Sequence, residues 1–254
     1  MERWWFLLRN CPDHLRTMLF DPPLLEGRLV KRYKRFLADI ELPSGDVITV
    51  HCPNPGAMLG LNIAGSRAWI SDSQNPKRKL RYTLELLEIG GTMVGINTQM
   101  PNKLALEAIE NRIIPSLAHY DRIRTEVRYG TNSRIDILLE HDGAPDIYVE
   151  VKNVHFRRAP NLHEFPDSVT DRGTKHLNDL IKEVENGNRG VMLYVIQRSD
   201  GDRFAIAEDL DPTYAKTFNR AIKMGVEMLA VTCNVTYKGI KATRLIPVVD
   251  EIGR

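Results

Sequence analysis

The sequence predicts an α/β chain (α+β overall) in two domains. An OB-like five-stranded β-barrel is expected over residues 21–98, and an α/β domain with a mixed sheet over residues 99–254. Three observations predict this. Turn signals recur at short intervals between Leu29 and Thr98, as in small barrels and sandwiches. The texture changes near Pro101, after which helical and strand patterns alternate. No internal repeat or low-complexity tract interrupts either half.

Residues 1–20 stand apart. Trp4-Trp5-Phe6 and Cys11-Pro12-Asp13 do not blend into the rest of the chain, whereas the run from Met18 to Leu24 reads as a natural beginning. Residues 1–17 are expected to be an extension upstream of a start at Met18, with a docked amphipathic segment as the alternative. Strands are then expected at 28–42, 46–51, 67–72, 80–89 and 92–97. They are separated by Ser44-Gly45, residues 53–56, Gly65, Asn75-Pro76 and Gly90-Gly91. Five strands suit a Greek-key barrel of the OB type, which commonly handles oligonucleotides, although strand count alone does not fix topology.

Beyond residue 98, Asn102 is placed to cap a helix over 103–110. Strands are expected next at 123–130, 133–140 and 146–153, then a helix at about 171–187 ended by Gly187. A continuous apolar strand runs over 191–196, a second helix over 211–225 ends at Gly225, and a last strand lies at 226–232. Residues 153–169, between His155 and His163 and a little beyond, read as a loop long enough to be a lid, a DNA-gripping element or a mobile surface loop.

Composition narrows the function classes. With 43% hydrophobic and 27% charged residues, the 254-residue chain has the make-up of a soluble globular protein. The formal charge of +2 is too small to imply a partner by itself, so its distribution matters more. Three cysteines, odd in number and without C-x-x-C spacing, argue against a disulfide framework or zinc site and favour a reducing cytoplasm. The apolar burst from Trp4 to Leu8 is far short of the roughly 20 residues a membrane span needs, so no membrane partner is expected. A G-x-x-x-x-G-K-[ST] loop is absent, which disfavours an ATP-driven function.

The chemistry-bearing constellation lies between residues 133 and 153. Asp142-Gly143 is a strong turn signal between two apolar-rich runs, so the segment reads as a hairpin centred on Gly143. Asp136 lies seven residues before that centre and Glu150 seven after, which makes them cross-strand neighbours roughly 5 Å apart at Cβ. Lys152, two residues beyond Glu150, shares its face. Two carboxylates within apolar strands repel one another and lose hydration. A hard divalent cation, Mg²⁺ or Mn²⁺, would offset that cost and would suit phosphodiester cleavage. Lys152 would position the attacking water or steady charge on the phosphorane oxygens. Glu107, from the preceding helix, is the candidate third carboxylate, with Glu126 behind it. The alternative is a structural ion-pair cluster of Asp136, Glu150, Lys152 and Arg134.

Cations concentrate elsewhere. Arg28, Lys31, Arg32, Lys34 and Arg35 fall within eight residues, interleaved with Tyr33 and Phe36. On a single strand, Arg32, Lys34 and Phe36 would share one face, and Lys31, Tyr33 and Arg35 the other. Cations beside aromatics suit nucleic acid, phosphates pairing with charge and bases stacking on rings. Lys77, Arg78 and Lys79, with Arg81 close by, form a second cluster in or beside a loop. Charged strand edges that only discourage pairing are the alternative. Arg172, Lys175 and His176 open the helix after the acidic hairpin, where backbone N–H groups favour phosphate, and are assigned to substrate-phosphate binding, Lys175 first among them. An ordinary helix start with surface cations is the alternative there. His51 and Cys52 resemble a metal pair, but no second pair accompanies them, and both read as barrel structure.

An Asp, thirteen residues, then Glu-x-Lys, after one helix and inside a hairpin, resembles the PD-(D/E)xK nuclease superfamily, with Ile135 where the label has proline. A more specific resemblance covers nearly all of the chain from Met18 onward. It rests on residues 32–39 (RYKRFLAD), 51–58 (HCPNPGAM), 133–136 (SRID), 148–153 (YVEVKN), 165–167 (FPD) and 170–177 (TDRGTKHL). In that order they resemble the sugar fermentation stimulation protein A family. The resemblance implies an OB-like first domain, a nuclease-like second domain, DNA binding with little sequence preference and a regulatory link to sugar (maltose) metabolism. Pro55 departs from the small hydroxyl residue usual at its position, and the segment before Met18 is not a family feature.

Two functions are carried forward: a Mg²⁺- or Mn²⁺-dependent nuclease, and a non-catalytic DNA-binding regulator of sugar-metabolism genes. An oligonucleotide- or RNA-processing enzyme is a third. DNA, single- or double-stranded, is the expected partner, and a homodimer is left open.

Overall fold

The computed structural model describes residues 17–129 and 133–249. In chain order its elements are β1 (Met18–Leu19), β2 (Leu25–Tyr33), β3 (Leu37–Glu41), β4 (Val47–His51), β5 (Arg67–Asp72), β6 (Tyr82–Ile89), β7 (Thr92–Gly95) and α1 (Pro101–Glu110). Then come β8 (Arg122–Tyr129), β9 (Ser133–Glu140), β10 (Ile147–Val154), β11 (Phe156–Ala159), β12 (Asn161–Phe165), α2 (Asp171–Glu185), β13 (Arg189–Ile196), β14 (Gly201–Ile206), α3 (Pro212–Lys223), β15 (Glu227–Thr236) and β16 (Gly239–Ile246).

Strands β2 to β6 form the barrel in the order β4-β3-β2-β5-β6, and β6 returns to β4 through the parallel pair His51–Thr83. Closure of this kind is what makes the five strands an OB-like barrel. Its interior is filled by Leu29, Ile40, Val50, Ile70, Leu84, Leu87 and Ile96, all buried. The interval 28–42, expected to be one strand, is instead a hairpin. Lys34 (φ 50°) and Arg35 (φ 63°) turn the chain in the left-handed region, so the two faces foreseen for its cations do not exist. Such turns normally carry Asn or Gly, and neither residue marks this one.

The second domain is a seven-stranded mixed sheet in the order β1-β16-β15-β13-β10-β9-β8. Its centre, β10-β13-β15, is parallel, and antiparallel partners flank it. Helix α1 covers one face, where Leu104, Ala105, Ala108 and Ile109 pack on Ile137, Val149, Leu193 and Val231. Helices α2 and α3 cover the other, bringing Leu177, Leu180, Tyr214 and Phe218 against Ile135, Leu138, Met192 and Tyr194. Burying side chains of this size stabilises by about 1.5–3 kcal/mol each. Trp69 and Leu86 of the barrel join the α1 cluster, so the two domains share apolar core. Among the described residues no helix is long and apolar enough to cross a membrane.

Two further expectations are corrected and one lies mostly outside the described residues. Residues 1–16, most of the anticipated extension, lie outside the described residues, but Met18–Leu19 pairs with Ile240 and Gly239 and belongs to the sheet. The supposed loop 153–169 contains β11 and β12, which join β14 in a small second sheet. Asn102 does not cap α1. The N-cap is Met100, without a side-chain cap, and Pro101 opens the first turn, as its missing N–H and fixed φ allow.

Helix α2 starts where its sequence says it should. Thr170 accepts from Gly173 N, and Asp171 sits in the first turn. A side chain at Gly173 would strike Thr170 and the Tyr214 ring at about 3 Å, which fixes how closely α2 lies on α3.

Candidate functional site

The β9–β10 hairpin positions the acidic pair. Ile147 pairs with Leu139, Tyr148 with Leu138 and Val149 with Ile137, each pair equidistant from Gly143, whose φ of 86° serves the turn. The ladder ends at that third pair. Beyond it the Asp136 carboxylate takes over the bonding: its Oδ2 accepts from Val151 N at 2.8 Å. Its Oδ1 accepts from the Asn102 amide at 2.9 Å, a contact available because Asn102 lies inside the first turn of α1.

Glu150 is 2% exposed and its two oxygens are treated differently. Oε1 accepts from Lys152 Nζ at 2.7 Å and from His176 Nδ1 of α2. Arg172 Nε donates to His176 Nε2 at 3.3 Å, which leaves the Nδ1 proton for Glu150. Oε2 is buried without a partner among the described residues. Burial works to raise the Glu150 carboxyl, but the His176 hydrogen bond and the Lys152 charge outweigh it, and the net shift is down. Asp136 goes the other way: burial first, then the charge of Glu150, push it up. Glu150 is thus an ionised carboxylate held by the Lys152 ammonium and the His176 imidazole, and Asp136 is the carboxylate that carries the repulsion.

An unpartnered buried carboxylate oxygen costs free energy until something meets it. The donors on offer, Glu150 Oε2 and the Asp136 carboxylate, are hard oxygens that suit Mg²⁺, Mn²⁺ or Ca²⁺. Glu107 does not join them. It is buried on the far side of α1, where Oε1 accepts from Ala242 N at 3.0 Å and Oε2 from Met18 N at 3.0 Å. A carboxylate committed to two backbone donors is a strut between α1, β1 and β16. Glu126 sits in β8 at φ 53°, exposed. Among the described residues no group of three or more His, Cys, Asp or Glu side chains is placed to hold a metal ion.

The cations divide into free and engaged. Lys34, Arg35 and Phe36 are exposed at the β2–β3 tip, Phe36 to 49%. Arg32 is engaged: its NH2 donates to the carbonyls of Arg35, Asn54 and Gly56, bracing the 54–56 loop. Tyr33 gives its hydroxyl to Asp39 Oδ1 at 3.0 Å. Lys77, Arg78 and Lys79 lie in the β5–β6 connection. Arg78 there lines, with Gln74, Asn75, Pro76 and Arg81, a pocket of about 590 Å³. Lys175 turns away from Glu150, its Nζ donating to Ser133 Oγ and to Asp179 Oδ2. Of the three basic residues foreseen at the start of α2, only His176 touches the acidic pair, and Arg172 reaches it through His176.

Sequence reasoning missed the contacts of Asn102 and His176 with the carboxylates. It also missed a buried polar chain between the domains: Ser71 donates to Glu85, Asn97 donates to Glu85, and Gln197 donates to Asn97 O and Asn153 Oδ1. His176 had one usable sign, since it lies one helical turn beyond Arg172 and adjoins the buried Leu177.

Comparison with known proteins covers both domains. The family model for the sugar fermentation stimulation protein RE domain matches residues 99–239, and that for the SfsA N-terminal OB domain matches residues 30–96. Sugar fermentation stimulation protein homologs of Brucella ovis and Brucella melitensis are each 54% identical over 233 residues, which is 92% of this chain and 98% of theirs. The structure of Pyrococcus furiosus SfsA in complex with Ca²⁺ superposes with a TM-score of 0.83 at 25% identity, covering 92% of this chain and 99% of that one.

Proposed function

Because the chain belongs to the sugar fermentation stimulation protein family, we propose that it is a DNA-binding protein of little sequence preference with a divalent-cation-dependent phosphodiesterase site at Asp136, Glu150 and Lys152. The observation that carries this reading is the split carboxylate of Glu150: one oxygen locked by Lys152 and His176, the other buried and without a hydrogen-bond partner among the described residues, with Asp136 near enough to feel its charge. That the Pyrococcus relative is described in complex with Ca²⁺ supports a hard divalent cation as the ligand class. Mg²⁺ or Mn²⁺ held there would supply Lewis acidity at the scissile phosphate and lower the pKa of a water.

The chain's own residues do the rest. Asn102 and the Val151 N–H fix the Asp136 rotamer, and His176 fixes that of Glu150. Lys152, whose side chain is 13% exposed, keeps a cationic charge where a phosphate would develop negative charge. Lys34, Arg35 and Phe36 on the barrel offer charge and an aromatic face to the nucleic-acid strand, and Lys77, Arg78 and Lys79 of the β5–β6 connection add sequence-independent charge. The cytoplasm is the proposed location, consistent with Cys52 and Cys233 being free, buried thiols.

Purified protein incubated with linear, supercoiled and single-stranded DNA in Mg²⁺, Mn²⁺ or chelator tests the reading. Cleavage that needs the cation and disappears in Glu150→Gln, with folding and DNA binding retained, is expected. No product under any condition would overturn the phosphodiesterase. One observation favours a second reading, a non-catalytic DNA-binding regulator of sugar (maltose) metabolism genes: Lys152 and His176 already pair with Glu150. That reading expects salt-sensitive binding indifferent to chelator and no cleavage.

A further inference from the structure

Glu150 Oε2 is not the only orphan on its face of the sheet. The hydroxyl of Tyr129, at the end of β8, is buried and without a hydrogen-bond partner among the described residues, and the residue is 9% exposed. Its ring lies 5.6 Å, centroid to centroid, from that of Tyr148, which precedes Glu150 by two residues on β10 and so shares its face. Two unsatisfied buried polar atoms, one an acceptor and one a donor, thus occur in this region, close enough for the Tyr129 phenol to feel the Glu150 charge. The carboxylate cannot turn to meet the phenol, because Oε1 is tied to Lys152 and His176. Burial, and after it the negative charge of Glu150, raise the phenol's pKa, which keeps it an O–H donor.

Buried donors do not stay unpaired without cause, since each costs as much as a lost hydrogen bond. A donor beside a cation-binding carboxylate calls for an oxygen that arrives with the ligand. We propose that Tyr129 is a further contact residue of this site, its hydroxyl donating to a non-bridging phosphate oxygen of the nucleic acid bound there. The inference rests on the cation-dependent reading of Asp136 and Glu150 and adds a donor to it. The sequence offered no sign of it, because Tyr129 reads as an ordinary strand aromatic.

Tyr129→Phe removes only the hydroxyl. The full-length protein and this variant would be compared by Ca²⁺ titration, by short duplex and single-stranded DNA binding in Ca²⁺ and in chelator, and by thermal melting. Expected are an unchanged Ca²⁺ affinity, unchanged DNA binding in chelator, and DNA binding in Ca²⁺ weakened by about ten-fold or more, the size of one hydrogen bond to a charged oxygen. The melting temperature should hold or rise, since an unpaired buried hydroxyl has been deleted. DNA binding in Ca²⁺ equal to that of the parent would overturn the proposal. A lower melting temperature would overturn it too, by showing that the hydroxyl is already bonded within the protein. Weaker Ca²⁺ binding alone would assign the hydroxyl to a water rather than a phosphate and would also refute it. If the parent protein binds no Ca²⁺, the cation reading of Asp136 and Glu150 fails first, and the Tyr129 inference falls with it.

Discussion

Replacing Glu107 by alanine separates a strut from a metal ligand. Its carboxylate is 5% exposed and accepts two backbone N–H groups, from Met18 and from Ala242, at 3.0 Å each. Hydrogen bonds to a charged acceptor contribute about 1.5–3 kcal/mol apiece, so their loss costs roughly 3–6 kcal/mol before anything is recovered. Something is recovered, because burial already raises the Glu107 pKa and alanine removes that desolvated charge. The net cost is then about 2–4 kcal/mol, a fall in melting temperature of roughly 5–15 °C for a protein of this size. Glu107→Gln, which keeps the shape and one acceptor, should fall between. Urea and thermal melts read the stability, and Ca²⁺ or Mn²⁺ titration reads the site. Cation affinity should stay that of the parent in both variants. A variant that melts normally but no longer binds the cation would refute the strut and restore Glu107 to the acidic site.

His163 is wholly buried, and burial, then the Arg198 charge, lower its pKa to about 4. An unfolded histidine takes up a proton near pH 6.5, which the folded state refuses until about pH 4. Stability is therefore lost as pH falls through that window, by at most about 3 kcal/mol. Urea melts across the window should show a shallower slope for His163→Leu, and identical slopes would contradict this. The pair Lys34→Asn and Arg35→Gly relieves left-handed strain at the β2–β3 tip and should stabilise by about 1 kcal/mol while weakening DNA binding and flattening its salt dependence by about two charges. Unchanged salt dependence would remove the tip from the interface. Arg32→Ala should destabilise by about 2 kcal/mol, because three carbonyls lose their donor, yet leave the salt slope alone. A reduced slope would return Arg32 to the phosphate-binding set.

How much of the molecule is legible in its sequence depends on how local each cause is. The β9–β10 register was legible because Asp142-Gly143 fixes a turn and counting outward gives the three observed pairs, from Ile147–Leu139 to Val149–Ile137. Barrel strands β4, β5 and β6 were legible through their punctuation, but β2 and β3 merged into one interval because Lys34 and Arg35 turn the chain without glycine or asparagine, and the expected fifth strand, 92–97, is β7 beside the closure. The β11–β12 hairpin was hidden for a related reason: its turn is made at Asn161, φ 61°, within a polar stretch that reads as loop. The His176–Glu150 and Asn102–Asp136 contacts join residues 26 and 34 positions apart, and only the packing of α2 and α1 on the sheet creates them. Glu107 went wrong through helical geometry. It lies five residues, nearly one and a half turns, beyond Asn102, and so faces β16 rather than the hairpin.

Trp69 and Leu86 leave the barrel to lodge under α1, and Gln197 stitches the same seam with polar bonds. Cutting the chain near residue 98 would strip both apolar side chains of their cover, so neither fragment should survive separation as a well-behaved solute. The seam also sets a gauge. With the barrel immobilised against the sheet, the span from the Lys34–Arg35 tip to Glu150 is a fixed dimension.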